Sequence, residues 1–138
     1  MIMESKEKSV VLAFIDAINH SDTAGMLKLM ADDYLFIDSM GVVSSDPASH
    51  IEGWGVYFRM FPDYRITVDC IISEKSLVAV FGSAAGTYNG KRGLVPDNLV
   101  KMPAAWKAVV ENNKIKVWQV YADWTEGTKI IEEDKKSA

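Results

Sequence analysis

The feature that most constrains this chain is a change of pattern near its midpoint. Before Pro62 the apolar residues recur at helical spacing; from Tyr64 onward they come in long runs rich in β-branched and aromatic side chains. These runs, Arg65–Ile72, Ser76–Tyr88, Leu99–Glu111 and Lys114–Trp124, read as strands. Glu74-Lys75 and Asn112-Asn113 supply tight-turn chemistry, which predicts two antiparallel hairpins. Tyr88–Asn98 is a longer, glycine-containing connection between two long strands. Helices first and strands afterwards is the pattern of an α+β domain, in which a sheet buries one face against helices.

In the helical half, Val10, Val11, Phe14, Ile15 and Ile18 share one face of a helix running from Glu4 to His20. Asn19-His20-Ser21-Asp22 interrupts it, and Ser21 or Asp22 caps a second, shorter helix with Met26, Leu27 and Met30 on its inner face. Tyr34–Asp38 follows as a short strand. Ser44-Ser45-Asp46-Pro47 is a helix start with Pro at the first helical position. The third helix then carries Ile51, Trp54, Tyr57, Phe58 and Phe61 on one face. Gly53 and Gly55 weaken it by about 1 kcal/mol each, which implies close packing or a ligand-facing surface that needs room. Phe61-Pro62-Asp63 ends it.

At 138 residues the chain is expected to form a single domain, with an ordered core over about 5–126. The segment 127–138 is expected to be a tail, because Glu132–Ala138 is a charged run, and the first six residues look too polar to pack. A net charge of −4 without a basic cluster argues against a nucleic-acid partner. No apolar run approaches the roughly 20 residues that span a bilayer, and no signal-peptide pattern opens the chain, so a cytoplasmic location is expected. The lone Cys70 allows no internal disulfide. Two histidines and one cysteine make no metal-ligand cluster, and no phosphate-binding glycine loop occurs. The expectation is therefore no cofactor and no metal.

The order of elements resembles the nuclear transport factor 2-like superfamily from about Val10 to Trp124. Local phrases carry the resemblance further. Asn19-His20-Ser21-Asp22 with Leu29-Met30-Ala31-Asp32-Asp33 looks like the helical opening of these proteins. Phe61-Pro62-Asp63 is similar to the helix-to-sheet loop of the SnoaL-like polyketide cyclase branch. Gly86-Thr87-Tyr88-Asn89-Gly90 looks like the end of the long central strand, and Lys114-Ile115 to Asp123 resembles the final strand. The resemblance implies a cone-shaped, curved, mostly antiparallel sheet wrapped around three N-terminal helices, with a ligand in its open end. Function then rests on the pocket residues and not on the scaffold.

Along the last strand, strict alternation places Ile115, Val117, Gln119, Tyr121 and Asp123 on one face. The resemblance implies that this is the cavity face and that Asp123 is the acid/base of the cyclases. A carboxyl in an apolar pocket has its pKa raised, which suits proton transfer. A strand-end aspartate capping a turn is the other reading. Asp38, aligned through Ala31-Asp32-Asp33, stands where related ketosteroid isomerases hold their base; a turn-initiating aspartate is its alternative. Those isomerases also use a tyrosine and a protonated aspartic acid to hold the enolate. Phe14 occupies the first position and Ala105 or Trp106 the second, so both donors are missing and steroid isomerisation is not expected. Limonene-type epoxide hydrolysis is not expected either.

Tyr34, Trp54, Tyr57, Trp106 and His50 complete the candidate binding residues, with core packing the default reading for the aromatics. On the opposite parity of the last strand, Trp118 and Trp124 are expected on the outer sheet face, where a homodimer would cover them. Three functions follow as expectations. The first is a cofactor-independent isomerase, dehydratase or cyclase acting on a small apolar or aromatic carbonyl compound. The second is a non-catalytic ligand-binding module, and the third a dimeric protein-interaction module.

Overall fold

A computed structural model describes residues 5–137. Helices α1 (Lys6–Asn19) and α2 (Thr23–Leu29) open the chain, followed by strand β1 (Met30–Ile37), the two-residue strand β2 (Val43–Ser44) and helix α3 (Pro47–Met60). Four long strands follow: β3 (Arg65–Glu74), β4 (Leu77–Thr87), β5 (Leu99–Glu111) and β6 (Lys114–Ala122). Helix α4 (Thr125–Lys135) comes after them. The strands form one six-stranded sheet in the order β2-β1-β6-β5-β4-β3. All its pairs are antiparallel except β1 with β6. The α+β class and mostly antiparallel sheet are those predicted.

Local chemistry explains the main boundaries. Asn112 and Asn113 both adopt positive φ, at 52° and 61°, between the paired Glu111 and Lys114. Asparagine tolerates this backbone, and the resulting two-residue turn matches the twist of its strands. Asp22 caps α2 by accepting the Gly25 N–H at 2.9 Å. Met30, predicted to finish that helix, instead opens β1 and pairs with Ile115. The Asn19 side chain exchanges two hydrogen bonds with the Ile66 backbone, at 2.9 and 2.7 Å, tying the end of α1 to β3.

The register of β6 holds the irregularity with the largest consequence. Val110 pairs with Ile115 but Val109 pairs with Val117, so Lys116 is the additional residue of a β-bulge. Ile115 faces inward before the bulge; Trp118, Val120 and Ala122 face inward after it. A one-residue shift sends every later side chain to the opposite face. The predicted inward placement of Gln119 and Tyr121 is therefore reversed, as is the predicted outward placement of Trp118.

The charged segment predicted to fray as a tail is instead α4. Its Gly127 and Asp134 are buried. The Asp134 carboxylate accepts the backbone N–H groups of Lys91 and Arg92, each at 2.8 Å, and the Asn98 amide at 2.9 Å. The Arg92 guanidinium lies 3.6 Å away. Burial by itself would raise this carboxyl's pKa. The hydrogen bonds from Asn98, Arg92 and Lys91, with the Arg92 charge, outweigh it and hold the group below its ordinary value. Of the first six residues, predicted not to pack, Ser5 caps α1 by accepting the Lys8 N–H at 3.1 Å and lies 3.0 Å from the Ser73 hydroxyl, and Lys6 opens the helix; Met1 to Glu4 and Ala138 lie outside the described residues. Among the described residues no helix is long and apolar enough to cross a membrane.

Candidate ligand-binding cavity

The inner sheet face and α3 enclose a cavity of about 460 Å³. This is within the range of small-molecule sites. Trp106 of β5 and Trp118 of β6 form part of its wall, their rings stacked with centroids 6.5 Å apart. Phe14 of α1 meets Trp118 edge-on at 4.9 Å from behind. From α3, His50, Gly53, Trp54 and Tyr57 reach the cavity, because residues three and four apart share one helix face. A Cβ added at Gly53 would meet nothing within 4 Å, so this glycine keeps space open.

The candidate residues divide into two groups. Asp38, His50, Trp54, Tyr57 and Trp106 all line the cavity. Tyr34 is fully buried next to His50, with ring centroids 5.3 Å apart, and does not itself line the space. Asp123, Gln119 and Tyr121 lie outside it. Asp123 is exposed, and its Oδ1 accepts the Thr125 N–H at 2.9 Å and the Thr125 hydroxyl at 2.6 Å. These bonds hold its pKa below the ordinary carboxylate value, the reverse of what a buried acid would show. It caps the turn into α4, so its predicted place in an apolar pocket is corrected. Trp118 and Trp124, predicted on the outer face, both line the cavity.

Asp38 is the one carboxylate among the lining residues. Its Oδ1 accepts the N–H groups of Met40 and Val42 at 2.9 and 3.0 Å, fixing the direction of the side chain. The His50 ring packs on Phe36 at 4.5 Å and on Trp54 at 6.0 Å. Burial lowers its pKa to about 4, so it is neutral at physiological pH. Burial also pushes the Tyr57 hydroxyl up, with Tyr64 beside it adding to the shift, and takes Tyr64 up to about 12. Both remain hydrogen-bonding phenols, not phenolates.

A family model for the SnoaL-like domain matches residues 11–118. The chain belongs to the SnoaL-like domain family. Comparison with curated proteins gives no match. Among solved structures, the chain is similar to a protein of Shewanella putrefaciens CN-32 provisionally classed as a SnoaL-like polyketide cyclase. The TM-score is 0.79 at 15% identity, over 95% of this chain and 99% of that one. It is also similar to a hypothetical protein of Catenulispora acidiphila with a ketosteroid isomerase-like fold, in complex with trimethylamine. There the TM-score is 0.71 at 17% identity, over 81% and 83% of the two chains. TerC, co-crystallised with polyporic acid, gives a TM-score of 0.77 at 18% identity, over 93% and 99%. These likenesses establish the fold, and with the cavity they make this SnoaL-like chain a small-molecule pocket protein of that family.

Phe14, expected from the sequence where ketosteroid isomerases carry a tyrosine, is fully buried against Trp118. Sequence reasoning missed Trp118, Trp124 and Tyr64 as cavity residues. For Trp118 the strand itself gave no signal, because Lys116 between Ile115 and Val117 fits strict alternation as well as a bulge. Trp124 lies beyond the strand, where alternation no longer applies.

Proposed function

We propose that the cavity binds a flat apolar or aromatic carbonyl compound and that the protein isomerises, dehydrates or cyclises it by proton transfer, with Asp38 as the base. The observation that carries this reading is the single carboxylate set among aromatic walls: Asp38 is the lone acid facing a space lined by Phe36, Trp54, Trp106, Trp118 and Trp124. Apolar walls bind the body of such a ligand, and one fixed carboxylate is sufficient to take a proton from the carbon beside its carbonyl and return it elsewhere. With Oδ1 held by Met40 and Val42, Oδ2 is the oxygen left for the substrate.

Two variants test it on the compound that co-purifies with the protein, identified by native mass spectrometry. Asp38→Asn should keep affinity and lose roughly 10²–10⁴-fold in turnover, the usual contribution of a positioned base. Unchanged turnover would leave only the ligand-binding reading. Gly53→Leu should narrow the cavity and weaken binding, while the helix gains about 0.8 kcal/mol from the better helix former. Binding unchanged by this substitution would place the ligand away from α3.

A homodimer would use residues other than the Trp118 and Trp124 expected from the sequence, which line the cavity. Cys70, Phe81, Ala105 and Tyr121 sit opposite one another across four strands on the outer face. Phe81 is 47% and Tyr121 51% exposed. An uncharged row of this kind suits a second copy related by a two-fold axis. Sedimentation should show a wild-type dimer and a monomer for Phe81→Lys/Tyr121→Lys; a wild-type monomer would remove the dimer.

A further inference from the structure

Tyr64 enters the cavity from a turn that is fixed on both sides. Its backbone N–H donates to the Phe61 carbonyl at 3.0 Å. Next to it, the Asp63 carboxylate accepts the Thr87 N–H at 2.6 Å and the Thr87 hydroxyl at 2.7 Å, which ties the turn to the end of β4. The Tyr64 ring meets that of Tyr57 edge-on, with centroids 5.0 Å apart. Both residues are half-buried and both line the cavity. Burial pushes both phenols up in pKa, and the contact between their hydroxyls adds to the rise at Tyr57 and opposes it at Tyr64. Opposite signs of this kind arise when Tyr57 donates and Tyr64 accepts, because only the acceptor's anion gains from the bond. Tyr64 thus keeps its own O–H for a ligand, and a phenol that accepts one hydrogen bond donates the next more strongly.

Asp38 stands at the other end of the space. Phe36, two residues before it, packs on His50 at 4.5 Å, and Tyr57 follows His50 by seven residues of α3, about 10 Å of helix rise. At the tyrosine end the cavity narrows into a cleft lined by Tyr57, Phe61, Tyr64, Gly86, Val100 and Met102, and among the described residues lining it none is charged. We propose that the Tyr64 hydroxyl, backed by Tyr57, docks an uncharged oxygen acceptor, a ketone or quinone carbonyl, at the end of the cavity away from Asp38. The proposal rests on the aromatic carbonyl reading above and adds which end of the ligand is held, and by what. An anion suits this end poorly, because nothing there supplies a counter-charge. A ligand that fills both ends is a fused-ring diketone or quinone, with one carbonyl on Tyr64 and the carbon beside the other at Asp38.

The test uses two probes with one bicyclic frame, tetralin and 1-tetralone, which differ by the ketone. Each is titrated into the full chain by calorimetry, and the carbonyl stretch of bound 1-tetralone, labelled with carbon-13 at that position, is followed by difference infrared spectroscopy. The expected result is binding of both, 1-tetralone roughly tenfold tighter, as one well-made hydrogen bond allows. The bound carbonyl should absorb at lower wavenumber than the same ketone in an apolar solvent. Tyr64→Phe should bring 1-tetralone down to the affinity of tetralin and return the stretch to its apolar-solvent position. Unchanged binding of tetralin shows that this variant keeps the cavity. Asp38→Asn should leave both the ketone preference and the stretch as they are, because that carboxylate lies at the other end. A ketone preference and shifted stretch that survive Tyr64→Phe, or a shift lost in Asp38→Asn, would overturn the anchor and leave the cavity reading standing. Failure of both bicyclics to bind the wild-type chain would overturn the two together.

Discussion

The bulge at Lys116 decides the fate of two aromatic residues three positions apart. Trp118 is 1% exposed, held between Phe14 and Trp106, whereas Tyr121 is 51% exposed on the other face. Truncating a buried tryptophan to alanine costs about 3–5 kcal/mol. One side of Trp118 already borders the cavity, so the lower end, about 3 kcal/mol, applies here. Unfolding entropy of about 2.1 cal/mol/K per residue gives roughly 0.3 kcal/mol per kelvin for a chain of this length. Trp118→Ala should therefore lower Tm by roughly 10 °C. Tyr121→Ala should stay within about 0.5 kcal/mol, or under 2 °C. Scanning calorimetry at two protein concentrations measures both, because a dimer contact at Tyr121 would be concentration-dependent and the Trp118 effect would not. Strict alternation without the bulge predicts the opposite order. A concentration-independent loss at Tyr121 equal to that at Trp118 would refute the register and the cavity wall built on it.

Asp123→Asn should leave ligand affinity and turnover unchanged while loosening the first turn of α4, which lowers Tm by a few degrees; lost turnover at native Tm would reinstate it as the acid/base. Asp134 has a depressed carboxyl pKa, so its stabilisation is fully present above the unfolded value of about 4 and is lost as pH falls through the lower native value. In acid titrations followed by circular dichroism, Asp134→Asn should accordingly show a lower Tm at neutral pH and a shallower fall below about pH 4. His50 acts in the same sense over a higher pH window. Its pKa is about 4 when folded and about 6.5 when unfolded, so between these values the unfolded chain binds more protons. Stability should decline as pH drops through that window, and His50→Gln should flatten the decline; parallel profiles would contradict its burial.

Where local chemistry sufficed, the sequence was legible. The faces of α1 and α3, the Asn112-Asn113 turn and the antiparallel pairs followed from periodicity and turn residues, because each is set by neighbours in the chain, whereas Leu27, expected on the inner face of α2, is 44% exposed. The third helix showed its cavity-facing residues for the same reason, since 3.6-residue spacing holds His50, Trp54 and Tyr57 together. Two features were not legible. The bulge in β6 depends on pairing across Val109 and Val110, which strand alternation by itself does not encode. The burial of α4 depends on one aspartate among many charges finding donors more than thirty residues away in sequence, at Lys91, Arg92 and Asn98.

The reversal of β6 also changes what the cavity can do. Moving Asp123 outside removes the acid from the end of the last strand and leaves Asp38, on β1, as the cavity's carboxylate. Enolisation needs a base at carbon and a donor at the carbonyl oxygen. In this chain the elements expected to supply that donor carry Phe14 and Trp106, which offer no hydroxyl or acid. Tyr57 and Tyr64, protonated phenols among the residues lining the space, are donors that it retains. A steroid ketone directed toward α1 would meet the Trp118 ring, behind which Phe14 is fully buried and offers no hydroxyl, so no turnover of such a steroid is expected.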